Sequence, residues 1–126
     1  MKKTLITLLL SIGVFSGFVQ ADGVMSAKHG GVMAEATSGT RAELSTAGNM
    51  LMVYLTSHQD EAIASKDYSA EITLLNGSEK QVLKLMPSGD NSLMASGQYK
   101  AVAGTKALLK LIPKGKPVEQ FRFVLK

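Results

Sequence analysis

The chain contains no cysteine and no tryptophan, and only two histidines, three prolines, three tyrosines and four phenylalanines in 126 residues. Without cysteine there is no disulfide framework, no thiolate metal site, no thiol nucleophile and no lipid attachment behind a leader. No serine stands in the Gly-x-Ser-x-Gly setting of a nucleophile elbow. The acidic residues show no grouping suited to acid–base work, and no glycine-rich phosphate loop opens a helix. The reading is a protein that is not an enzyme. Charge is sparse too, with 14 basic and 10 acidic side chains and a formal net charge of +4. The basic residues lack the interleaved aromatics of a nucleic-acid groove, so nucleic acid is not an expected partner.

Long hydrophobic runs are missing except at the start. Lys2 and Lys3 precede an apolar stretch from Leu5 to Phe15, and Val19-Gln20-Ala21 then places small residues at −3 and −1 before Asp22. This is the pattern of a secretory signal peptide over residues 1–21. The apolar core falls short of the roughly 20 residues that span a bilayer, so no membrane anchor is expected after cleavage. Export into a bacterial periplasm is the expected location. The 105 remaining residues make one domain of ordinary size. They carry 12 basic and 10 acidic groups, and seven of the basic ones lie between Gly97 and Lys126 against Glu119 alone. Alternating lysines there suit the solvated face of strands and the guarding of an edge.

Residues 22–31 (DGVMSAKHGG) are glycine-rich and aperiodic, which predicts a flexible N-terminal arm. From residue 32 to 126 the pattern changes to short β-like runs between turn residues. Strands are expected at 31–37, 41–45, 50–56, 68–75, 79–86, 92–96, 105–112 and 118–125. Asn76-Gly77 between two such runs is a strong hairpin signal and predicts a type I′ turn. Strands at this spacing predict an all-β fold, a single immunoglobulin-like β-sandwich of about seven to eight short antiparallel strands. Candidates for its core are Met52, Tyr54, Leu74, Leu83, Leu85, Phe121 and Phe123.

Metal binding is the chemistry the residues suggest most. Met25, His29 and Met33 recur every four residues in and beside the arm, and thioether with imidazole suits Cu(I) or another soft or borderline ion. Gly30-Gly31 would let the backbone wrap an ion. The same residues also read plainly, with Met33 in the core and His29 solvated. Met50 and Met52 share one face of a strand and read as core, whereas Met86 and Met94 flank the turn at Pro87–Asn91 and read as partly exposed. Three antiparallel strands in sequence would put His29 and His58 at opposite ends, roughly 20 Å apart for strands of this length.

His29-Gly30-Gly31-Val32, the Met52–His58 strand end, Leu74-Leu75-Asn76-Gly77, Pro87–Asn91 and Phe121-Arg122-Phe123 together resemble a group of small periplasmic bacterial proteins. These have a signal peptide, an immunoglobulin-like domain similar to the YtkA-like domain, and an association with heavy-metal efflux systems. The resemblance implies a non-enzymatic accessory in metal binding or efflux, with a periplasmic subunit of an efflux complex as its partner. Ser57 and Gln59 flank His58 where the group has Asp and Gly, so the resemblance assigns His58 no role. The alternative is a structural or interaction module that docks an envelope or efflux-complex partner without binding metal.

Overall fold

The structure, a computed structural model, describes residues 25–47, 50–95 and 98–126. Eight antiparallel strands follow in chain order: β1 (Val32–Glu35), β2 (Arg41–Ala47), β3 (Met50–Thr56), β4 (Tyr68–Asn76), β5 (Glu79–Pro87), β6 (Ser92–Ala95), β7 (Lys106–Pro113) and β8 (Glu119–Val124). The fold is all-β, as the runs of alternating apolar residues predict, and the described residues contain no helix. The expected leader lies outside the described residues. Among the described residues no helix is long and apolar enough to cross a membrane.

Strand order is β1-β2-β3-β6-β5-β4-β7-β8. Strands β4, β5 and β6 form a meander, and residues 57–67 carry the chain across so that β3 pairs with β6, a Greek key. The two layers of the sandwich are thereby continuous and curl into a nearly closed barrel. The edge strands β1 and β8 come close, and Ser38 Oγ donates to the Glu119 carboxylate.

One parity of each strand fills the interior. Leu51, Val53 and Leu55 of β3, Ile72 and Leu74 of β4, Leu109 and Leu111 of β7, and Phe121 and Phe123 of β8 are all buried in one cluster. The expected core residues Leu74, Leu85, Phe121 and Phe123 belong to it, and Leu83 packs against it half-buried. Met52 and Tyr54 do not. Side chains on a strand alternate faces, so the burial of Leu51, Val53 and Leu55 sends Met50, Met52, Tyr54 and Thr56 outward. The β4–β5 hairpin is present, but Asn76 pairs with Glu79 and only Gly77 and Ser78 lie between them. Positive φ at Gly77 and not at its neighbours is the type II′ pattern rather than type I′.

Gly31 leads into β1 against the backbone of Leu44. A Cβ there would stand 2.2 Å from the Leu44 carbonyl oxygen and 2.8 Å from its carbon. Backbone cannot rotate away as a side chain can, so Gly31→Ala will force the strand entry apart. The expected loss is about 1–2 kcal/mol in urea denaturation; an unchanged midpoint would contradict this packing.

Candidate functional site

The outer face of β1, β2 and β3 carries a row of residues set by register. Met33 stands opposite Glu43, and Glu43 opposite Tyr54. A glutamate here would ordinarily reach solvent, yet its side chain is 5% exposed. The cover is the N-terminal arm, which lies folded over the sheet ahead of β1. Glu43 holds it at four points. The backbone N–H groups of Lys28, His29 and Gly31 donate to its two oxygens at 3.0, 2.7 and 2.9 Å, and the His29 ring nitrogen Nδ1 lies 3.0 Å from Oε1. Residues 28–31 therefore lack regular structure but are fastened to the domain. Ser45 Oγ adds a hydrogen bond to the His29 carbonyl oxygen at 3.3 Å.

Burial by itself pushes the Glu43 carboxyl up, but the hydrogen bonds from His29, Gly31 and Lys28 outweigh it and hold the group below its ordinary range. An ionised carboxylate has only acceptors. The neighbouring Nδ1 must therefore carry the proton, which in the neutral ring leaves the lone pair on Nε2. The His29 ring also stacks on Tyr54, with centroids 3.5 Å apart and planes within 3°. Two constraints thus fix the plane and the tautomer, while the side chain stays 41% exposed. Among the described residues Nε2 has no polar partner. A histidine bound at Nδ1 to a carboxylate, with its other nitrogen open, is the usual outer-shell arrangement of a metal-binding imidazole.

Met33 lines the same recess of about 100 Å³ as His29, Glu43 and Tyr54. Lys28 and Asp60 stand at its rim, paired at 2.8 Å. Met25 lies farther out. It shares with Met33 a second recess that also contains Arg122 and Lys126, whose positive charges disfavour a cation. Met33 thus links the two other candidates, and it is the better placed thioether. None of Met25, Met33, Met50, Met52, Met86 and Met94 belongs to the core or packs against it. This overturns the core placement of Met33, Met50 and Met52: leucine, valine and phenylalanine fill the interior unaided.

His58 does not sit remote from this face. Its Nδ1 lies 2.6 Å from Glu35 Oε2, and Glu35 is the register partner of Arg41, two residues along β2 from Glu43. Diagonal neighbours of this kind are roughly 7–8 Å apart. The expected separation of the two histidines fails because the arm folds back instead of extending from the end of β1. The buried Arg41 Nε lies 3.7 Å from Glu35 Oε1, too far for a hydrogen bond. Among the described residues no group of three or more His, Cys, Asp or Glu side chains could hold a metal ion.

Sequence reasoning missed Glu43, Glu35 and Tyr54. The signal for Glu43 was present in β2, where a glutamate alternates with Ala42 and Leu44 in a strand next to the glycine-rich arm. Comparison with protein-family models finds no match, and comparisons with curated proteins and with solved structures find none either. The likeness to YtkA-like proteins rests on its short motifs alone.

Proposed function

We propose that the protein is a non-enzymatic periplasmic accessory in the binding or efflux of a heavy, copper-like metal. It takes up one soft or borderline ion, Cu(I) before Zn²⁺, at Nε2 of His29. Met33 supplies a thioether and Met25 a more distant one, and a periplasmic subunit of a metal-efflux complex is the partner. The observation that carries this reading is the Glu43–His29 arrangement, which engages Nδ1 and leaves Nε2 without a polar partner among the described residues, in a recess that Met33 also lines. Thioethers are neutral and polarizable, so such a site selects a soft monovalent ion over hard divalent ones. Coordination requires the neutral ring, so acid weakens it.

Competition for Cu(I) against a chromophoric chelator at neutral pH tests the reading. His29→Ala should abolish binding at this site, and Glu43→Gln should weaken it by about 10–100-fold, as loss of an outer-shell partner does. Met33→Leu should cost more affinity than Met25→Leu. Equal affinity for wild type and His29→Ala would sink the proposal. The interaction-module reading would then stand on the groove of about 450 Å³ lined by Leu75, Leu108, Phe123 and Val124, where Leu75 and Val124 are exposed.

A further inference from the structure

Four of the methionines outside the core share a single patch, and strand register puts three of them in line. Met52 of β3 is the direct partner of Met94 of β6, and Met94 is the direct partner of Met86 of β5. Directly paired residues point to the same side of a sheet. That side is the outer one, because Leu51, Val53, Leu85, Leu93 and Ala95 turn inward on the same three strands. Met86 is 62% exposed, and Met52 and Met94 are half-buried. Met50, 48% exposed, lies two residues from Met52 on that face.

We infer that Met52, Met94 and Met86 form an all-thioether site for a soft monovalent cation, Cu(I) or Ag(I), distinct from the imidazole of His29. Neighbouring strands are about 4.8 Å apart. Met52 and Met86 therefore flank Met94 with their backbones about 10 Å from each other, a span that three unbranched side chains with three rotatable bonds each are long and supple enough to close around one ion. Three neutral sulfurs suit an ion of low charge and soft character, and they offer little to Zn²⁺ or to hard cations. The interior is complete without these residues, so packing gives no reason for sulfur on this face. The groups beside the row on the outer face are Ser45 of β2, Tyr54 of β3, Ser92 of β6 and Lys84 of β5, with Glu43 and His29 one step further along. None of the three ligands takes up a proton, whereas any imidazole must be unprotonated to coordinate, so binding here does not depend on pH as coordination through a histidine does. That difference separates this site from the one in the previous subsection.

The test is a titration of the whole protein with Ag(I), followed by the methyl resonances of ¹³C-labelled methionine, at pH 5 and pH 7. The expected result is that the Met52, Met86 and Met94 signals shift together at both pH values, in wild type and in His29→Ala alike. Met94→Leu, which keeps volume and apolar character, should lose the shifts of Met52 and Met86 while its circular dichroism stays that of wild type. Shifts confined to Met25 and Met33 would overturn the inference and leave the His29 reading intact. Wild-type shifts at Met52 and Met86 in Met94→Leu would overturn it as well. No shift at any methionine would overturn both readings and leave the row as an apolar docking face for another protein.

Discussion

Truncation of Phe121 to alanine is expected to cost about 3–5 kcal/mol in equilibrium denaturation, the usual loss for a fully buried phenylalanine. Phe121 is among the largest side chains that are wholly enclosed, on β8 opposite Leu109 of β7. Removing its ring leaves a cavity in the middle of a wall shared by Leu109, Leu111 and Ile72, which the rigid sheet cannot close. Phe123→Ala should cost less, because Phe123 borders the open groove beside Leu75 and Val124 and its neighbours have room to settle. Met52→Ala should cost about 1 kcal/mol or less, as for a residue outside the core. Thermal or urea unfolding of the three variants checks the order. A loss for Met52→Ala as large as that for Phe121→Ala would show that the outer face of β3 is covered after all.

The second large effect belongs to Glu43. Its carboxylate accepts four hydrogen bonds, three of them from the backbone of the arm. Charge-assisted bonds contribute more than neutral ones, so Glu43→Gln should destabilise by about 1.5–3 kcal/mol at neutral pH. The carboxyl is held below its ordinary value of 4.5 in the folded state. Its contribution is therefore complete above about pH 4.5 and is lost as the pH falls through the lower folded value. The stability gap between wild type and Glu43→Gln should be widest near neutrality and narrow below that point. Hydrogen-exchange protection factors at the amides of residues 28, 29 and 31 should fall over the same range, because the protonated carboxyl releases the arm before the barrel opens. A gap that stays constant from pH 7 to pH 3 would contradict the clamp.

Two readings of the sequence failed at the site, each for its own reason. The eight strands were legible because turn residues bracket alternating apolar runs, as in Gln120-Phe121-Arg122-Phe123, and Met50–Thr56 matches its strand to the residue. The parity of that strand was equally legible: Leu51, Val53 and Leu55 are spaced by two. Placing Met50, Met52 and Tyr54 in the core hid this, and with it the outward row of methionines. The course of the arm was not legible. Nothing in DGVMSAKHGG marks a reversal, since the partner that captures it is a glutamate twelve or more residues away. Backbone N–H groups have no sequence signature at all, and three of the four bonds that hold the arm come from them. The pairing of Met94 with both Met52 and Met86 likewise depends on the Greek-key crossing, which brings β6 between β3 and β5. Spacing along the chain carries no trace of that neighbourhood.

The claim on which the functional account turns is the state of one ring nitrogen. Long-range ¹H–¹⁵N correlation of the His29 imidazole, recorded at neutral pH with and without one equivalent of Ag(I), reads it directly. The account predicts a proton on Nδ1, held toward Glu43, before the ion is added, and a large upfield shift of Nε2 alone after it, with the Nδ1–H bond to Glu43 kept. A proton on Nε2 in the free protein, or ring nitrogens that do not respond to the ion, would contradict it.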